Sequence, residues 1–131
     1  MKTRARVLLI DDDPDFIEST RMVLQSKYDV LVAPDGEEGL KTARKEKPDV
    51  ILLDVIMPLM DGFTVAERLK KDPELARIPV LMLTSFSERV GETTIPVSRG
   101  FSLEAEDYIS KPVTPQELLK RVGKWAECSG K

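Results

Sequence analysis

The sequence contains no histidine, a single cysteine and only 5% aromatic residues. Without histidine, catalytic zinc sites and His-dependent nucleophilic enzymes are disfavoured. The lone Cys128 cannot form an internal disulfide, which is compatible with a reducing cytosol. Uninterrupted apolar runs reach only four residues, too few for a membrane span or a signal-peptide core. We therefore expect a cytoplasmic protein without a membrane partner.

The composition is that of an ordinary globular domain. The 131 residues are 41% hydrophobic and 33% charged, which predicts one domain, residues 1–131, with a core over about residues 5–126. The net charge of −3 gives no general reason to expect nucleic-acid binding. A small basic patch lacks aromatic residues and is interpreted as a solvated helix face; it comprises Lys41, Arg44, Lys45 and Lys47.

Five short apolar segments alternate with segments of helical periodicity. The apolar segments, which we interpret as strands, are residues 7–10, 28–33, 50–54, 79–83 and 108–110. Helices are expected to begin near Asp13, near Asp35 or Gly36, at about Gly62 and at Pro115, with Thr114 and Glu117 as a capping box. This alternation predicts an α/β fold with a doubly wound, five-stranded parallel sheet in the flavodoxin-like order 2-1-3-4-5.

The central segment ends in a carboxylate. Residues 50–53 form a continuous apolar run typical of a strand buried on both faces, and Asp54 follows it directly. An ionised group at the edge of a core is costly unless something offsets it, although a lone Asp here most often caps a turn. Asp11 and Asp12 follow the first strand. In the predicted strand order, all three carboxylates meet at the switch point where such sheets bind ligands.

Three clustered carboxylates constrain the chemistry of this crevice. Two unit charges ~4 Å apart repel by roughly 4 kcal/mol at an effective dielectric near 20, so the group needs a cation or bound protons. Mg²⁺ is usually held by one or two carboxylates together with phosphate oxygens. Thr84 and Lys111 follow the fourth and fifth strands and would supply a hydroxyl and an ammonium to a phosphoryl group. Asp54 is then the expected nucleophile, forming an aspartyl phosphate.

Taken together, the motifs resemble the receiver domain of two-component response regulators, of the chemotaxis-regulator type. The resemblance rests on Leu8-Leu-Ile-Asp11-Asp12, on the run from Asp54 through Met57-Pro58 to Asp61-Gly62, on Leu83-Thr84-Ser85 and on Lys111-Pro112. It implies that Asp54 is the phosphoacceptor and that Mg²⁺ is held by Asp11, Asp12, Asp54 and the backbone carbonyl of Ile56. It also implies that Thr84 and Lys111 contact the phosphoryl group and that Tyr108 is the switch aromatic.

The resemblance also implies partners and an activity. The phosphoryl group would come from a histidine kinase or a histidine phosphotransfer protein, and the switched face would bind a downstream protein that the sequence does not identify. The chain would be no enzyme beyond catalysing its own phosphorylation and dephosphorylation. Two further expectations are a cis Lys111–Pro112 peptide and slow loss of the phosphoryl group, because Ile56 and Phe86 cannot orient a water molecule.

The interval between Thr84 and Lys111 departs from the family pattern. It contains Gly91, Pro96 and Gly100 where receivers place a regular fourth helix. Glycine costs ~1 kcal/mol and proline ~3 kcal/mol in a helix interior. We therefore expect residues 86–101 to form an atypical, partly extended loop that phosphorylation could order.

Two other functions compete with the receiver interpretation. Val7 to Asp13 loosely resembles the nucleophile motif of haloacid-dehalogenase-like phosphatases, but Pro14 and Asp15 stand where that motif has threonine. A pseudo-receiver, acting only as an interaction module, would have a broken acidic site, whereas the site residues are all present in this sequence.

Overall fold

The structure, a computed structural model, describes residues 5–55, 62–84, 107–110 and 113–129. The first half of the described chain contains β1 (Arg6–Ile10), α1 (Pro14–Leu24), β2 (Asp29–Ala33), α2 (Gly36–Glu46) and β3 (Val50–Asp54). The second half contains α3 (Gly62–Lys71), β4 (Val80–Thr84), β5 (Asp107–Ser110) and α4 (Pro115–Ser129). No described helix has the length and hydrophobicity that a bilayer-crossing segment needs.

The strands form one parallel sheet in the order β2-β1-β3-β4-β5. At the carboxyl end of β1, Ile10 lies opposite Ala33 on one side and Leu53 on the other. The chain thus runs from β1 to β2 on one side and then crosses to β3 on the other side of β1, which places the switch point between β1 and β3. The doubly wound α/β architecture expected from the sequence is confirmed.

Alternating side chains of the strands supply two separate cores, one on each face of the sheet. Leu8, Ile51 and Leu53 face the core that α2 and α3 cover, together with Phe63 and Leu69. The opposite core is covered by α1 and α4 and contains Val7, Leu9, Val50, Leu52, Leu81, Leu118 and Val122. Because β1 and β3 are buried on both faces, their carboxyl ends are held firmly in place.

Polar side chains begin three of the helices as the sequence predicts. Asp13 accepts hydrogen bonds from the backbone N–H groups of Asp15 and Phe16, and Asp35 accepts one from Glu38. The hydroxyl of Thr114 accepts one from Glu117, as expected of an N-cap. These caps fix the residue at which each helix begins.

The structure corrects two predicted strand boundaries and shows where β1 begins. Tyr28 does not belong to β2, because its N–H donates to Leu24 and completes the turn that ends α1. Arg6 lies within β1, and its guanidinium binds both the carboxylate and the backbone carbonyl of Glu46. Pro79 precedes β4, although its carbonyl accepts a hydrogen bond from Ile51.

Candidate functional site

Two carboxylates are placed by the buried central strands. Asp54 is the last residue of β3 and lies opposite Leu83 of β4. Asp11 follows β1 directly, and its N–H continues the sheet by donating to the carbonyl of Ala33 at 3.2 Å. Both side chains therefore project at the carboxyl edge of the sheet beside the switch point, as the strand order predicts.

The Asp11 carboxylate is held by the chain that follows it. Its Oδ1 accepts a 2.9 Å hydrogen bond from the backbone N–H of Asp13, and the Asp13 side chain in turn caps α1. Pro14 occupies the first turn of that helix, where its missing N–H costs nothing. A local turn at the start of α1 thus orients a buried site residue.

The carboxylates of Asp11, Asp12 and Asp54 form one cluster. Each offers an oxygen, and these oxygens all lie within 4.8 Å of one another. Asp11 is 0% exposed and Asp54 is 6% exposed, whereas Asp12 faces solvent. At such separations, the mutual repulsion is on the order of several kcal/mol at an effective dielectric near 20, so the arrangement favours a bound cation.

The donor set of this cluster fits Mg²⁺. All three groups are carboxylate oxygens, which hard divalent cations prefer, and the described cluster contains no sulfur or nitrogen ligand. An exposed Asp12 beside two buried partners leaves the cluster open to solvent on one side. A cation held there could keep water ligands and accept a phosphate oxygen.

The other predicted site residues are described only in part or not at all. Thr84 is the final residue of β4 and lies opposite Ser110, so its backbone is at the same edge of the sheet as Asp54. Tyr108 lies in β5 opposite Met82. The side chains of Thr84 and Tyr108 lie outside the described part of the chain, as do three whole residues: Ile56, Phe86 and Lys111.

Sequence reasoning missed two residues that shape the site. The role of the Asp13 N–H was overlooked, although Asp-x-Asp is a local signal for a carboxylate that accepts a hydrogen bond two residues on. Gly62 was predicted only as the approximate start of a helix. In the structure it packs against the main chain of Asp54, a contact that no local pattern reveals.

Comparison with known proteins agrees with this geometry. Residues 7–123 match the response regulator receiver domain family. The chain is 32% identical to the chemotaxis protein CheY4 of Vibrio cholerae, with a TM-score of 0.81 over 94% of this chain and 99% of that one. It is 37% identical over 119 residues to protein PilH of Pseudomonas aeruginosa, covering 90% of this chain and 94% of PilH.

Other relatives are longer. The DNA-binding dual master transcriptional regulator RpaA of Synechocystis sp. is 42% identical over 118 residues, which cover 89% of this chain but 47% of RpaA. The chain thus spans about half the length of several curated relatives that it matches. The match over residues 7–123, with the sheet order and the carboxylate cluster, shows that the chain belongs to the response regulator receiver domains, the phosphoacceptor modules of two-component signalling.

Proposed function

We propose that Asp54 is the residue that accepts the phosphoryl group, with Mg²⁺ held by Asp11, Asp12 and Asp54. The observation that carries this assignment is the cluster itself, whose three carboxylate oxygens lie within 4.8 Å of one another at the ends of β1 and β3. Asp54 ends the buried central strand, so its carboxylate is held in a fixed position for attack on a phosphoryl donor. The backbone carbonyl of Ile56 is proposed as a further ligand from the family resemblance.

The chemistry assigned to Asp54 is a displacement at phosphorus. A carboxylate oxygen of Asp54 forms the new O–P bond while the bond from phosphorus to the donor's imidazole nitrogen breaks, and the imidazole recovers a proton from solvent. Mg²⁺ held by Asp11, Asp12 and Asp54 would supply positive charge that offsets the negative charge of the phosphoryl oxygens. Thr84 and Lys111 are proposed to contact two of those oxygens. The protein's contribution is therefore positioning and charge, with no turnover of a separate substrate.

A histidine that donates the phosphoryl group must lie outside this sequence, because its 131 residues contain no histidine. We propose a histidine kinase or a histidine phosphotransfer protein in that role, and an unidentified downstream protein as the reader of the phosphorylated form. The slow dephosphorylation set by Ile56 and Phe86, the cis Lys111–Pro112 peptide and the ordering of residues 86–101 stay predictions, as does the cytoplasmic location.

The assignment of Asp54 is tested by mass spectrometry. The protein is incubated with acetyl phosphate and Mg²⁺, and its intact mass is compared with that of Asp54→Asn and of a sample in EDTA. We expect one added phosphoryl group on the wild type only, and only with Mg²⁺. Equal incorporation by Asp54→Asn would refute the assignment of Asp54.

Two further measurements test the alternative functions. Release of phosphate from a generic phosphomonoester would support the phosphatase alternative, and failure to bind beryllofluoride with Mg²⁺ would support a pseudo-receiver.

A further inference from the structure

Gly62 begins α3 directly against the end of β3. Its backbone N–H donates a 2.8 Å hydrogen bond to the carbonyl of Val55, the residue after Asp54. A Cβ atom at position 62 would lie 2.8 Å from the Cα of Val55 and 3.0 Å from the carbonyl carbon of Asp54, and closer still to the Asp54 carbonyl oxygen. Each of these neighbours is main chain, so no change of rotamer can relieve the overlap.

Gly39 of α2 provides a contrasting contact. A Cβ atom there would lie 2.8 Å from Cγ1 and 3.1 Å from Cγ2 of Ile10, with the Cδ1 atom nearer still. These neighbours belong to the buried side chain of Ile10, so an added methyl group is met by repacking of a side chain and not by displacement of main chain. Both glycines let a helix approach a strand closely, but only Gly62 does so against the main chain of a site residue.

The main chain of Asp54 can yield to a clash in few directions. Leu53 is paired with Ile10 of β1, Asp54 with Leu83 of β4, and the N–H of Val55 donates to the Leu83 carbonyl at 2.9 Å. A methyl group at position 62 must therefore be accommodated by a shift at this junction, either of the end of β3 or of the start of α3. A shift of β3 would move the Asp54 carboxylate relative to Asp11 and Asp12, because those two residues follow a different strand.

We propose that Gly62 is a positioning residue for the phosphoacceptor, because its missing side chain sets the distance from Asp54 to the other two carboxylates. The proposal rests on the function proposed above for Asp54. A displacement of about 1 Å at a reacting group can slow a reaction by about a hundredfold. Replacing Gly62 should therefore impair Mg²⁺ binding and phosphorylation by more than its loss of stability explains.

The test compares Gly62→Ala with Gly39→Ala as the matched control. Urea unfolding gives the stability of each variant, calorimetric titration gives the Mg²⁺ affinity, and intact mass gives the rate of phosphorylation by acetyl phosphate. We expect Gly62→Ala to lose about tenfold or more in both site measurements, and Gly39→Ala to stay within about threefold of wild type. Equal values for the two folded variants in both measurements would overturn the proposal.

A measurement on the wild type covers the case in which Gly62→Ala does not fold. Hydrogen exchange of the Gly62 amide should be as slow as that of the Val55 amide, because both close the junction that holds Asp54. Exchange of Gly62 about a hundredfold faster than Val55 would show that the junction opens locally, and would overturn the proposal. Failure of the proposed function is distinguishable, since wild type would then take up no phosphoryl group while the Mg²⁺ and exchange results still report on Gly62.

Discussion

The backbone N–H of Asp13 donates a 2.9 Å hydrogen bond to Oδ1 of Asp11. The side chain of Asp13 simultaneously caps α1 by accepting from the N–H groups of Asp15 and Phe16. The start of the first helix and the orientation of a buried site carboxylate are therefore set by the same residue. Loosening the cap should loosen the carboxylate as well.

Asp13→Ala should reduce both helix stability and Mg²⁺ affinity. Loss of an N-cap costs about 1 kcal/mol of the free energy of unfolding, and a mobile Asp13 backbone no longer fixes Asp11. The matched control is Asp35→Ala, which removes the cap of α2, where Asp35 accepts from the N–H of Glu38. Both variants should unfold at lower urea concentration, and only Asp13→Ala should bind Mg²⁺ more weakly in calorimetry.

The conservative variant Asp13→Asn separates the cap from the charge. Asparagine caps helices about as well as aspartate but is neutral. We expect Asp13→Asn to retain most of the Mg²⁺ affinity. An equal loss of affinity in the alanine and asparagine variants would attribute the effect to the charge of Asp13 and contradict the role of its backbone.

Asp12→Asn should change stability in opposite directions with and without Mg²⁺. In EDTA, removing one of three clustered negative charges relieves repulsion, so the variant should be at least as stable as wild type. Mg²⁺ at a hundred times its dissociation constant stabilises a binding protein by about 2.7 kcal/mol, and the variant should gain less at the same concentration. Urea unfolding should therefore show the variant at least as stable as wild type in EDTA and less stable than wild type in Mg²⁺.

Glu37→Gln serves as the control for Asp12→Asn. Glu37 lies in the first turn of α2 and is exposed, and its carboxylate is not part of the cluster. Its replacement should change the free energy of unfolding by the same amount in EDTA and in Mg²⁺. If Asp12→Asn also changed it by the same amount in both conditions, Asp12 would take no part in cation binding.

The sequence predicts the parts of this site that local patterns encode. The apolar run before Asp54 identifies a buried strand, and the succession of strands and helices brings Asp11 to the same edge. The need for glycine at position 62 depends on where α3 meets β3, which only the folded chain shows. The contact of Arg6 is hidden from local patterns for a similar reason, since its partner Glu46 is distant in sequence and reaches it only through the packing of α2.

Lys47→Gly should stabilise the protein. Lys47 ends α2 in the left-handed conformation, with φ 48° and ψ 67°, which costs a residue with a side chain roughly 1–2 kcal/mol. Glycine avoids that cost but loses more freedom on folding, so the net gain should be about 0.5–1 kcal/mol in urea unfolding.

Two controls isolate the backbone effect at Lys47. Lys47→Ala retains the unfavourable conformation and removes only the exposed ion pair with Glu74 at 3.3 Å, so it should give no gain. Lys45→Gly lies within α2 and should destabilise by about 1 kcal/mol. A gain from Lys47→Ala equal to that from Lys47→Gly would contradict the explanation.

Arg6→Lys should destabilise the domain without affecting Mg²⁺ binding. The Arg6 guanidinium donates to the backbone carbonyl of Glu46 at 2.9 Å and also pairs with its carboxylate, which joins β1 to the end of α2. A lysine keeps the charge but cannot reproduce this two-pronged geometry, so we expect the free energy of unfolding to fall by about 1 kcal/mol.

The control is Arg21→Lys on α1. Arg21 pairs with Glu18 on one exposed helix face, so this replacement should lower the free energy of unfolding by no more than about 0.5 kcal/mol. Because Arg6 lies at the amino end of β1 and the carboxylates at its carboxyl end, calorimetry should give the wild-type Mg²⁺ affinity for Arg6→Lys. Equal stability losses at the two positions would refute a special role for Arg6, and a weakened Mg²⁺ affinity would mean that the two ends of β1 are coupled.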